Sequence, residues 1–298
     1  MQRLPRHAAA VVCALSFPQS TRALALNYRH AFHAGNFADL VKHATLLQLL
    51  RRLEAYAGPL SVIDTHAGRG VYDLAGVEAK KSGEAAAGIA RLIEASDVPA
   101  EFAALTAAVR KLNNGGPARR YPGSPWLIAE ALRPGDSYLA CELRSEEHVA
   151  LRELMKARRG VRTLCADGYE AAMDQTPATG RVLVLIDPPF ERANDYPRIV
   201  QTLAALGRRN RNAMALVWLP LKDLETFDGF LRDLEEEIVA PLLVAETRMR
   251  PLTDPLKMNG CALVLMGTTV DMAEPLKAIS EWTATTLGQG GSSRIYAL

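Results

Sequence analysis

The residues Val182 to Phe190, Val-Leu-Val-Leu-Ile-Asp-Pro-Pro-Phe, limit what this chain can fold into more than any other stretch. The apolar run after Arg181 predicts a strand buried on both faces, the pattern of a parallel sheet with helices on either side. Asp187 falls where that strand stops. Pro188 and Pro189 lack an N–H and hold φ near about −65°, so they can neither extend the ladder nor freely start a helix. A rigid elbow therefore stands at the carboxyl end of a central strand, the edge where open α/β sheets bind ligands. A carboxylate (Asp187), a carbonyl of fixed direction (Pro188) and an aromatic face (Phe190) project there together. That trio suits a planar amine: Asp187 and the Pro188 carbonyl accept its two N–H hydrogens while Phe190 stacks on the ring.

Other strand–loop units repeat the theme. Leu60 to Gly70 reads as a short strand running into Asp64, then Gly68 and Gly70, which let backbone pass close to a ligand, with His66 facing it. The spacing is not the Gly-x-Gly-x-x-Gly of dinucleotide enzymes. Ser137 to Cys141 is a strand ending in Glu142, whose carboxylate suits a ribose diol. Val161 to Cys165 leads to Asp167-Gly168, where Asp167 can accept an adenine amino group and Gly168 permits close approach. Acids thus end four successive strands, at Asp64, Glu142, Asp167 and Asp187. Beyond the elbow, Tyr196 to Leu206 and Leu224 to Glu237 are helices around a strand at Ala213 to Leu219. Leu242 to Met249 and Cys261 to Met266 close the sheet as an antiparallel pair, their connection at the ligand edge.

Residues 78 to about 120 break this rhythm: Glu84 to Glu94 and Pro99 to Leu112 read as helices with no strand between, a small helical insertion. Tyr121-Pro-Gly-Ser-Pro125 then makes a rigid turn with Ser124 placed to cap the next helix or touch a ligand. Near the amino end, polar and aromatic groups crowd into Asn27 to His43, where Gly35-Asn36 mark a turn and Asn36 or Asp39 caps the helix that follows. His30, His33 and His43 lack the spacing of a metal set, and no metal is expected. Residues 1 to 26 imitate a secretory signal, but the apolar part is too short to span a membrane; a start placed too early, or a disordered tail, is the expectation.

At 298 residues and net charge +2, the chain fits one α/β domain with an insertion, and nucleic acid is permitted as a partner without being demanded. Cys13, Cys141, Cys165 and Cys261 show no regular spacing and read as reduced core residues of a cytosolic protein. Arg29, Lys42, Arg69, Arg144, Arg192, Arg248, Arg250 and Lys257 fall in the amino-terminal segment or at the ligand edge, where they can meet RNA phosphates.

Asp187-Pro-Pro-Phe190 resembles the (Asp/Asn)-Pro-Pro-aromatic signature of S-adenosylmethionine-dependent amino-methyltransferases. With Tyr28-Arg-His30-Ala-Phe-His33-Ala-Gly35-Asn36, Lys42-His43, Asp64-Thr-His66-Ala-Gly68, Tyr121-Pro-Gly-Ser124-Pro, Glu142 and Ala166-Asp167-Gly168, it looks like one family over residues 27 to 298, the bacterial 23S ribosomal RNA adenine-N6 methyltransferases of the J type. The resemblance implies a Rossmann-like class I methyltransferase sheet, mostly parallel with a final antiparallel hairpin. It implies S-adenosylmethionine held by His43, His66, Ser124, Glu142, Asp167 and Gly168, catalysis by Asp187, and Tyr28, His30, Lys42, Pro188 and Phe190 on the substrate side. The partner implied is 23S ribosomal RNA, the location cytoplasmic, the state monomeric, with no membrane and no metal. Phe190 stands where tyrosine is expected, and residues 1 to 26 have no counterpart. A DNA adenine or protein glutamine methyltransferase shares the tetrapeptide, and a catalytically silent RNA-binding module shares the fold; the amino-terminal segment argues against the first pair, the intact acids against the second.

Overall fold

The computed structural model describes residues 30–192, 194–253, 257–267 and 271–298. Tyr28, Arg29, Cys13 and the expectation for residues 1 to 26 lie outside them. In chain order the strands are β1 (Leu60–Asp64), β2 (Val71–Asp73), β3 (Arg120–Pro122), β4 (Ser137–Cys141), β5 (Val161–Leu164), β6 (Arg181–Ile186), β7 (Ala213–Leu221), β8 (Leu242–Arg248), β9 (Gly260–Met266) and β10 (Ser292–Ala297). The helices are α1 (Phe37–Leu53), α2 (Val77–Ser82), α3 (Arg91–Glu94), α4 (Ala103–Leu112), α5 (Ser124–Ala131), α6 (Ser145–Met155), α7 (Gly168–Gln175), α8 (Asp195–Arg209), α9 (Leu224–Glu237) and α10 (Ala273–Trp282), with a π-helical turn at Ala86–Ala90.

β6 is central because both of its faces are apolar. Leu183 and Leu185 point into a core shared with α1, α5 and α10, while Val182, Val184 and Ile186 point into a second core under α7, α8 and α9. The sheet order is β10-β8-β9-β7-β6-β1-β4-β5. β5, β4, β1, β6 and β7 are parallel, and β9 runs antiparallel to both β7 and β8. This is the mostly parallel sheet that the resemblance implies, with the closing antiparallel pair in the expected place. Because β8 points the same way as the parallel block, its connection to β9 emerges at the carboxyl edge.

Several boundaries differ from the sequence reading. β7 continues through Pro220 to Leu221. Its pairing with β6 stops at Val217, so Pro220 faces no ladder partner on that side, and β9 pairs the extension. β10 joins the edge beside β8, and β2 pairs with β3 as a separate two-stranded ribbon. Cys141 and Cys261 are buried, but Cys165 is exposed, because β5 is the edge strand and only half-buried. Among the described residues, no helix is long and apolar enough to cross a membrane.

Candidate active site

The carboxyl ends of β1, β4, β6 and β7 and the start of α1 enclose a cavity of about 420 Å³. Of the residues expected to act, His30, Lys42, His43, His66, Ser124, Glu142, Asp167, Gly168, Asp187, Pro188 and Phe190 all line it. Asp64 does not: it is fully buried and works beneath the cavity floor, accepting from Ser124 Oγ (2.7 Å) and Tyr138 Oη (3.2 Å). Burial pushes its carboxyl up to about 6.

On one side, the acids are held by neighbouring backbone or by arginine. Gly68, at φ +64°, turns its N–H onto Glu142 Oε2 (2.9 Å), and Arg144 N donates to Oε1 (2.7 Å). Burial still raises Glu142's carboxyl above its usual range. Asp167 caps α7 by accepting from Tyr169 N (3.1 Å), and Arg198 forks onto its two oxygens at 3.0 and 2.7 Å while stacking over the Tyr169 ring. Burial pushes the Asp167 carboxyl up, but the Arg198 hydrogen bonds and charge outweigh it and hold the carboxyl low. Gly168 permits a close approach, yet of backbone rather than ligand: a Cβ there would lie 1.8 Å from Thr65 O. His66 bonds Thr65 Oγ1 through Nδ1 (2.7 Å) and packs edge-on to Tyr169; burial lowers it to about 3, so the ring is neutral.

The other side is built around one ammonium. Lys42, buried in the second turn of α1, reaches Asp187 Oδ2 at 2.5 Å and Asp39 Oδ1 at 3.0 Å. Burial opposes its charge, but the two carboxylates hold it protonated. Lys42 therefore enters the cavity already paired, and the phosphate contact expected of it is closed. Asp39 in turn accepts from His30 Nε2 (3.0 Å) and Gly35 N (2.9 Å). Burial pushes the Asp39 carboxyl up, but His30 and Lys42 hold it well below the usual range. Asn36 caps α1 by accepting from Asp39 N (2.9 Å). Glu84, from the helical segment, binds both His33 Nδ1 (2.9 Å) and Asn36 Nδ2 (2.9 Å), and Ile89 N donates to Gly35 O (2.9 Å). His43 Nδ1 meets Tyr121 Oη at 2.9 Å; burial lowers the ring to about 3, so its 4.0 Å approach to Asp39 is no ion pair.

Phe190 sits at φ +51°, a left-handed conformation that costs a non-glycine residue on the order of 1–3 kcal/mol. The neighbouring rings define its place, with Tyr196 at 5.0 Å and Trp218 at 5.9 Å between centroids. Trp218, Arg198, Asp39 and Glu84 were not singled out as site residues from sequence. Asp39 carried a signal as a candidate cap; the rest lie in ordinary helix or strand patterns. Among the described residues, no group of three or more His, Cys, Asp or Glu is arranged to hold a metal ion.

The model of the family described as "Ribosomal RNA large subunit methyltransferase D, RlmJ" matches residues 57–297. The chain is 31% identical over 268 residues to ribosomal RNA large subunit methyltransferase J of Escherichia coli (strain K12), covering 90% of this chain and 96% of that one. It is 32% identical over 269 residues to the Haemophilus influenzae (strain ATCC 51907 / DSM 11121 / KW20 / Rd) protein of the same name, with the same coverage. The crystal structure of protein LPL1258 from Legionella pneumophila str. Philadelphia 1 superposes with a TM-score of 0.79 at 29% identity, over 89% of this chain and 98% of that one. Sheet order, strand-end acids and the likeness over nearly the whole length agree: the chain belongs to the RlmJ family of ribosomal RNA large subunit methyltransferases.

Proposed function

We propose that the protein transfers the methyl group of S-adenosylmethionine to the N6 amino group of one adenine in 23S ribosomal RNA, with Asp187-Pro-Pro-Phe190 holding the flipped base. The observation that carries this reading is the elbow: Lys42 takes Asp187 Oδ2, and Asp187, Pro188 and Phe190 line one cavity with Glu142 and Asp167. Adenine N6 is a weak nucleophile because its lone pair is delocalised into the ring. Asp187 Oδ1 and Pro188 O accept its two N–H hydrogens and aim that lone pair along the line of transfer. S-adenosylmethionine would supply the electrophilic methyl group; Asp187 would stabilise the charge that develops on the amine and accept its proton. Glu142 and Asp167 hold the ribose and adenine of the cofactor, His43, His66 and Ser124 line its remaining contacts, and Gly168 keeps the Asp167 turn tight. His30 stands with Lys42 on the substrate side, the side proposed also for Tyr28, which lies outside the described residues.

Residues 27 to 298 act as one methyltransferase domain, with the helical segment at about 78 to 120 as an insertion that steadies the turn before α1. The substrate assigns the protein to the cytoplasm, where it acts as a monomer. Incubating the full chain with methyl-labelled S-adenosylmethionine and ribosomal RNA from a strain lacking the activity tests the reading. Label in one N6-methyladenine of 23S RNA is the expected result; label in DNA or in peptide glutamine instead, or none, overturns it.

A further inference from the structure

Cations crowd the carboxyl edge, and most are already engaged. Arg69 forks onto Glu147 at 2.7 Å, Arg144 onto Glu146 at 2.6 Å, Arg198 onto Asp167 at 2.7 Å and Arg248 onto Glu246 at 2.5 Å. Among the described residues, Lys222 and Arg250 have no carboxylate partner and Arg250 Nε is buried without a hydrogen-bond partner. Asn259 fixes both. Its side-chain amide N–H donates to Lys222 O (3.0 Å), and its backbone carbonyl accepts from Met249 N (2.8 Å) and Arg250 N (3.3 Å). Met258, beside it, lines two cavities: the one containing Asp187, where Lys222 also stands, and a second of about 440 Å³ that Arg250 lines together with Phe37 and Ala87.

We infer that this second cavity receives the RNA nucleotide next to the target adenosine, with its base against Phe37 and Met258, while Arg250 and Lys222 hold phosphates on either side of the Met258 ridge. The inference rests on the proposed RNA substrate and extends it to a second subsite. A flipped base leaves its neighbour unstacked, and a half-buried aromatic ring replaces that lost stacking. Arg250 lines the second cavity, and the remaining N–H groups of a guanidinium without a carboxylate partner are complementary to phosphate oxygens. The two cavities also share Asn36 and Glu84, so a strand passes from one to the other without leaving the surface.

The test compares adenosine 5′-monophosphate with a single-stranded RNA trinucleotide carrying a central adenosine, each titrated into the full chain with S-adenosylhomocysteine present. The wild type binds the trinucleotide at least about tenfold more tightly than the monophosphate, the contribution of one stacked base. Arg250→Ala loses about tenfold of that gain, as for one charge-assisted hydrogen bond, and its log–log salt slope falls by about 0.7. Ala87→Trp, at an exposed position on the cavity wall, removes the gain by filling the space. Both variants keep wild-type affinity for S-adenosylhomocysteine and the monophosphate, which reports that they fold. The inference is overturned if the wild type gains nothing from the longer RNA, if Arg250→Ala keeps the wild-type slope, or if Ala87→Trp retains the gain. Failure of the underlying reading is distinct: the wild type then methylates no ribosomal RNA.

Discussion

The two halves of the cavity hold their carboxylates by different means. On the β1–β4–β5 side, Glu142 is gripped by the backbone of its own turn and of the glycine loop, and Asp167 by its own helix start and by Arg198, 31 residues on. On the β6 side, Asp187 is held by Lys42, 145 residues away in sequence, and Lys42 is held by Asp39, which His30 and Gly35 hold in turn. The side proposed for the cofactor is framed by turn and helix-start contacts together with pairings 74 and 31 residues apart. The side proposed for the reacting amine exists only when two segments 145 residues apart dock. The first half should therefore tolerate damage to the second.

Asp187→Ala gives the sharpest separation. Methyl transfer is expected to fall by roughly 10²–10⁴ in single-turnover assays on ribosomal RNA, with cofactor affinity largely kept. A folded variant that still methylates at near the wild-type rate would remove Asp187 from the chemistry. Lys42→Met leaves Asp39 and Asp187 facing each other without their cation and should cost roughly 3–5 kcal/mol of stability in urea unfolding. If Lys42→Met is as stable as the parent, the two segments dock without the pair.

Asp64 probes the opposite side through pH. Its folded carboxyl titrates near 6, above its ordinary value, so between about 4 and 6 the native state binds more protons than the unfolded one. Stability from this group therefore falls as pH rises through that window, by up to about 3 kcal/mol. Asp64→Asn should flatten the wild-type curve of melting temperature between pH 4 and 7; an unchanged slope places the titration elsewhere. Glu142→Gln should weaken S-adenosylmethionine binding about tenfold by calorimetry while leaving RNA affinity untouched. Equal weakening of both ligands would erase the division between the halves.

Legibility in the sequence follows the same line. The strands announce themselves as apolar runs, and their terminal acids sit at the last strand residue or within three residues beyond it, so Asp64, Glu142, Asp167 and Asp187 could be read off in order. β2 and β3 have three residues each, too short for a period to show. β10, Ser-Ser-Arg-Ile-Tyr-Ala, is a polar edge strand that resembles a tail. The Lys42 contact, the Arg198 fork and the Glu84 clasp on His33 join segments far apart in sequence, and no single-chain pattern carries such pairings. Charge alone misled at Arg69, Arg144 and Arg248: all three stand at the expected edge, yet each is already committed to a glutamate.

Phe190 carries a consequence for anyone redesigning this protein. Its φ of +51° is one that glycine adopts without penalty, so Phe190→Gly relieves the backbone and should raise the melting temperature if the lost ring packing is the smaller quantity. A library ranked only by heat resistance would then enrich glycine at this position. The same exchange strips away the flat surface proposed to meet the target base, so the sturdiest clones would be the idle ones, and sorting must be done on methylated product.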